Sequence, residues 1–127
     1  LSSARYGYWF TDEQAPNAYE GLAPFFLPVG IGAIHTLEIQ YVFGTVGTSG
    51  GSTAQIELSN KMIRYWTRFA KTGNPNGGTD PAWPSLGPTS EIMKLDDDGP
   101  TAVDIYGTNQ FNDFHHCDFW GLGGLGD

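Results

Sequence analysis

The sequence predicts an α/β fold, and one that these residues do not complete by themselves. Three observations carry this reading: two short apolar strands far apart in the chain, one long amphipathic helix between them, and 18 glycines with 8 prolines among 127 residues. Glycine at about twice its usual ~7% means that much of the backbone is loop. A sheet of this class typically holds about five or six strands. Two strands separated by residues 11–90 would leave edges unpaired, so the missing strands are expected from an upstream part or another chain. Residues 1–127 are therefore expected to be one segment of a larger domain, although 39% hydrophobic and 14% aromatic content would supply a core.

The first strand is read at residues 4–10, Ala-Arg-Tyr-Gly-Tyr-Trp-Phe, where aromatic residues crowd an extended stretch that the polar run Thr11 to Asn17 ends as a turn. From Tyr19 to Ala33 the chain is apolar but interrupted by Gly21, Pro24, Pro28, Gly30 and Gly32, which excludes a regular helix. A packed loop leading to His35 is expected there, with Phe25 and Phe26 as candidates either for a pocket wall or for plain packing. Between His35 and Phe43 the apolar positions fit a short helical turn or a strand equally well, and Gly44 would stop either.

A Gly/Ser/Thr-rich linker, Thr45 to Thr53, leads to a helix expected over about 54–71. Ser52 and Gln55 form an S-x-x-Q capping box at its start, and Gly73 followed by Pro75 closes its end. Ile56, Met62, Ile63, Trp66, Phe69 and Ala70 recur at helical spacing and are expected to face the core. Lys61, Arg64, Arg68 and Lys71 then line the other side, four of the chain's six cations, as a solvated face whose last members suit the helix dipole.

Beyond the helix, residues 74–90 are rich in turn-forming residues, with Trp83 as a packing anchor. A second strand is expected at Glu91 to Leu95, ending at the turn Asp96-Asp97-Asp98-Gly99. Three adjacent carboxylates lack the alternation of a calcium loop and are read as a solvated turn. A closing amphipathic helix is expected over about 109–122.

Fourteen acidic against six basic side chains give a formal net charge of -8. That balance argues against a nucleic-acid partner, and no apolar run is long enough to span a bilayer, so the chain reads as soluble. One cysteine, Cys117, excludes an internal disulfide and leaves the compartment open, secreted and periplasmic locations included. His115, His116, Cys117 and Asp118 are potential ligand types, but adjacent ligands without a second cluster lack zinc-site spacing, so neither metal nor cofactor is expected.

The stretch Gly32-Ala33-Ile34-His35-Thr36-Leu37-Glu38-Ile39-Gln40-Tyr41-Val42-Phe43-Gly44 resembles the histidine motif of the type B carboxylesterase and cholinesterase family, G-x-x-H-G-x-E-L/I-x-Y/F-V-F-G. The run Met62 to Asn76 resembles the family's near-C-terminal helix with its A-x-T-G-x-P-N ending. Trp83-Pro84, Leu95-Asp96 and His116-Cys117-Asp118-Phe119-Trp120 follow in the family's order. The resemblance covers nearly the whole chain.

What the resemblance implies is the C-terminal portion of an α/β-hydrolase fold. His35, on the loop spanning residues 32–44, would be the catalytic histidine of a serine esterase acting on a small-molecule carboxylic ester. Histidine suits the task because a pKa near ~6.5 lets it take and return a proton at neutral pH. Glu38 matches the glutamate of H-x-x-E and is expected as a buried supporting group rather than the triad acid. No G-x-S-x-G is present, so the serine and the triad acid would belong to the N-terminal remainder of the enzyme, on the same or a separate chain, and this chain alone would be inactive. Thr36 stands where the family has glycine, and a β-branched residue there would stiffen the loop or narrow the pocket. The competing expectation is a non-catalytic adhesion or binding module, since some members of the fold have lost the triad.

Overall fold

A computed structural model of the chain describes residues 4–17, 32–86, 91–104, 115, 116 and 119. Its elements are β1 (Tyr8–Phe10), α1 (Ile39–Val42), α2 (Thr53–Thr72), β2 (Glu91–Leu95) and β3 (Thr101–Asp104). The segments read from sequence as the loop before His35 (19–33) and the closing helix (109–122) lie outside the described residues, apart from Gly32, Ala33, His115, His116 and Phe119.

The two predicted strands pair with each other. β1 runs parallel to β2 with Tyr8, Trp9 and Phe10 opposite Met93, Lys94 and Leu95, and β3 adds antiparallel to the far side of β2. The order is therefore β1-β2-β3, with β1 at one end of the sheet. Backbone bonds from Met93 N to Gly7 O (3.0 Å) and from Thr11 N to Leu95 O (2.9 Å) extend the parallel pair. β3 was not anticipated; only four residues long, it follows the turn that Gly99 N to Asp96 O (2.9 Å) closes. Gly99 takes φ +108° there, a conformation glycine adopts without steric cost.

α2 starts and stops where its signals lie. Ser52 Oγ accepts from Gln55 N, Gln55 Oε1 accepts from Ser52 N, and Gly73 ends the helix in the left-handed region at φ +73°. Its buried face differs from the expected one. Gln55, Leu58, Ser59, Met62 and Tyr65 are buried, whereas Ile56 and Phe69 are exposed. The stripe turns because two polar residues find partners inside: Ser59 Oγ donates to Tyr41 O at 2.7 Å and Gln55 Nε2 to Gln14 O at 2.9 Å. Hydrophobicity alone cannot place a face that hydrogen bonds help to bury. No helix among the described residues is long and apolar enough to cross a membrane.

The core sits between the sheet and the two helices. Leu37, Tyr41, Val46, Leu58, Met62, Tyr65, Trp83, Met93 and Leu95 fill it, with Tyr6, Phe10, Val42 and Trp66 packed on its margin. Trp83 is the anchor of the turn-rich segment: its ring meets those of Tyr6, Tyr8, Tyr65 and Trp66, and its Nε1 donates to Gly7 O at 2.9 Å.

Two of the helix cations do more than solvate a face. Arg64 grips Asp80 with two nitrogens and Arg68 Nη1 reaches the same carboxylate at 2.7 Å, fastening the 74–86 segment to α2. These bonds, Arg64's first, overcome burial and hold Asp80 down to about 2 from 3.8. Because the folded-state pKa is depressed, the stabilisation is complete above about pH 4 and is lost as pH falls towards 2. Asp80→Asn is therefore expected to lower stability at pH 7 and to flatten this part of the acid limb in urea titrations. An unchanged acid limb would contradict the role given to Asp80.

Candidate active site

The histidine motif resolves into a turn followed by a helix. Leu37 N donates to Ile34 O at 3.2 Å, closing a β-turn whose third residue, Thr36, has φ +78°. That value is the one a type II turn requires at its third position, the position where the motif this segment resembles carries glycine. His35 occupies the second corner of the turn and is exposed. Its side chain makes no hydrogen bond with any described residue. On either side of it, Leu37 is fully buried and Ile34 exposed, so the backbone plunges into the core immediately after presenting the imidazole.

Thr36 thus meets the stiff-loop expectation in a specific way. Holding a β-branched L-residue in the left-handed region costs roughly 1–2 kcal/mol, which glycine avoids at a smaller entropic cost of about 0.5–1 kcal/mol. Thr36→Gly is expected to raise the denaturation midpoint by a net stabilisation of a few tenths to about 1 kcal/mol, while Thr36→Val gives no gain. A fall in the midpoint of the glycine variant would contradict the strain.

Glu38 is half-buried rather than buried. It occupies the cap position of α1, and its Oε1 accepts from Tyr8 Oη at 3.3 Å, linking the motif to β1. Burial, then the charge and hydrogen bond of Glu38, push the Tyr8 hydroxyl above its ordinary pKa. Three apolar residues of the same segment, Ile34, Ile39 and Phe43, remain exposed, Phe43 at 75%. Exposed apolar side chains on the segment that carries the histidine are of the kind that another part of a protein covers.

Of the other polar groups singled out in the sequence, His115 meets Trp9 edge-on at 5.4 Å and lies away from the 32–44 loop in sequence. His116 is exposed with φ +52°, and Cys117 and Asp118 lie outside the described residues. Among the described residues no group of three His, Cys, Asp or Glu side chains could hold a metal ion. Sequence reasoning missed the buried Asp12, which Tyr41 and Gln55 both contact; its signal was hidden in a polar run that reads as a turn.

Comparison with known proteins defines the class. A solved PNB esterase superposes with TM-score 0.60 at 25% identity, over 86% of this chain and 21% of its own. An esterase from anaerobic Clostridium hathewayi gives TM-score 0.61 at 21% identity, over 87% and 20%, a likeness of fold. The chain is thus a portion of an α/β-hydrolase fold of the esterase type. Carboxylesterase 5A of Canis lupus familiaris is 35% identical over 96 residues, 70% of this chain and 16% of that protein. The sequence model of the carboxylesterase family matches residues 2–120, and the chain belongs to that family. It spans about a sixth of the length of this relative, given the 16% coverage.

Proposed function

We propose that this chain supplies the catalytic histidine, His35, of a serine carboxylesterase whose nucleophile and triad acid lie in an N-terminal remainder of the enzyme. The observation that carries the reading is the placement of His35: an exposed corner of a tight turn, rooted by buried Leu37, in a segment that leaves Ile34, Ile39 and Phe43 exposed. At this corner neither ring nitrogen is bonded to a described residue, which suits a group that takes its partner from elsewhere in the enzyme.

In this reading the imidazole accepts the proton of a serine hydroxyl as that oxygen adds to the ester carbonyl. The oxyanion formed is held by backbone N–H groups of the remainder. His35 returns the proton to the departing alcohol as the C–O bond breaks, leaving an acyl-serine. Water then repeats the cycle: His35 takes its proton, and the serine regains one as the carboxylic acid leaves. Glu38 contributes by tying the turn to Tyr8 rather than as triad acid.

The test is hydrolysis of p-nitrophenyl butyrate and labelling by a fluorophosphonate. The full-length protein is expected to turn over the ester and to be labelled at one serine, and this chain alone to do neither. A full-length protein that binds but is neither labelled nor active would instead be an adhesion or binding module of the same fold.

A further inference from the structure

Asp12 has no part in the mechanism above, yet it is 1% exposed at the end of the β1 strand, where the chain turns away from the sheet. Its Oδ2 accepts from Tyr41 Oη at 2.5 Å and from Gln55 Nε2 at 3.0 Å, and its Oδ1 accepts from Gln14 N at 2.9 Å. The ion pairs of the described residues fall on Asp80 and Asp96, not on Asp12. A carboxylate taken out of water without a cation costs several kcal/mol and persists only where donors satisfy it.

Those donors come from three separate pieces of the chain: the turn after β1, helix α1 and the first turn of α2. Gln55 is committed on every side, since its Oε1 takes Ser52 N at 2.8 Å and its Nε2 also reaches Gln14 O at 2.9 Å. The α1 end of the network is held further by Gln40 Nε2 to Pro16 O at 2.7 Å and by Ser59 Oγ to Tyr41 O at 2.7 Å. Burial first, then Asp12, keeps the Tyr41 hydroxyl protonated far above the usual tyrosine range, so it donates at any working pH. The bonds of Gln40 and Tyr41 fasten the segment that directly follows the His35 turn, and those of Gln55 fix the same carboxylate to α2, while the His35 side chain makes no hydrogen bond with a described residue.

We propose that Asp12 is a positioning residue for His35, acting through Tyr41 and Gln55 to set where the turn stands relative to the end of the sheet. The inference rests on His35 being the catalytic base. Tyr41 already packs its ring on Phe10 at 5.1 Å, a contact that phenylalanine would keep. The hydroxyl therefore adds direction rather than bulk, and misplacing a reacting group by about 1 Å can cost on the order of 100-fold in rate.

Tyr41→Phe and Asp12→Asn in the full-length esterase test this. Each folded variant, judged by near-UV circular dichroism, is expected to lose about tenfold in kcat for p-nitrophenyl butyrate, with KM within about twofold. The rate of serine labelling by the fluorophosphonate should fall in the same proportion. If both variants keep wild-type kcat while only the melting temperature drops, the network holds the fold alone and the inference is overturned. Should Asp12→Asn fail to fold, Tyr41→Phe decides by the same criterion. His35→Ala run in parallel separates the claims: an active alanine variant removes the catalytic reading and this inference with it. An inactive one beside a wild-type Tyr41→Phe removes the inference only.

Discussion

Alanine at position 35 in the full-length esterase is expected to lower kcat for a short-chain nitrophenyl ester by about 10⁴- to 10⁶-fold, with little change in KM. Under the proposed function, the size follows from what the imidazole would do twice in each turnover. Without it the serine hydroxyl must attack while protonated, and the alcohol must leave as an alkoxide. Among the described residues no neighbour is placed to substitute. Glu38 is engaged with Tyr8, and the carboxylate of Asp12 is buried under three donors. The other two histidines follow eighty residues later, where His115 meets Trp9; alanine at His115 or His116 is expected to change kcat by no more than a few-fold. Steady-state kinetics on the three variants decides the matter. Near-wild-type turnover by His35→Ala, or a collapse of activity in either of the others, would contradict the assignment.

The largest expected loss of stability is that of Trp83→Ala, about 3–5 kcal/mol by urea denaturation. Trp83 is 5% exposed and serves as the hub of an aromatic cluster that joins the 74–86 segment to β1 and α2. Its backbone is clamped as well, with Trp83 N donating to Asn76 Oδ1 at 2.6 Å and Asn76 Nδ2 donating back to Trp83 O at 2.9 Å. Alanine removes the ring, opens a cavity among Tyr6, Tyr65 and Trp66, and leaves Gly7 O without its indole donor. Phenylalanine should restore part of the packing but not that bond, and recover part of the loss. A loss below about 1 kcal/mol for the alanine variant would show that the cluster collapses around the gap or contributes little.

Legibility in the sequence followed the kind of physics involved. α2 was readable because its capping box and its terminal glycine are local devices, complete within a few residues of each end. β2 was readable from an apolar run bounded by turns, and it falls at the expected residues. The 35–43 segment could not be settled by periodicity; the left-handed Thr36 and the fully buried Leu37 make it a turn and then a helix. The inward face of α2 was misplaced because Gln55 and Ser59 are buried by partners 41 and 18 residues away in sequence, which no local pattern encodes. Asp12 escaped notice for the same reason: a buried carboxylate and a solvated one look alike until their donors are in place. β3 left little trace, since four residues carry no usable alternation.

The histidine motif itself was legible as a pattern, but not the reason for it. The family's glycine beside the histidine marks a third turn position at φ +78°, and this chain keeps that backbone with threonine at the cost of strain.

A crystal structure of the full-length protein, fluorophosphonate-labelled and unlabelled, measures the central claim directly. The account predicts His35 Nε2 within about 2.6–3.2 Å of the hydroxyl oxygen of the serine that the label marks, with the Ile34–Leu37 turn intact and Ile39 and Phe43 covered. A different histidine at that serine, or a His35 ring turned out to solvent with the cleft closed against it, would contradict it.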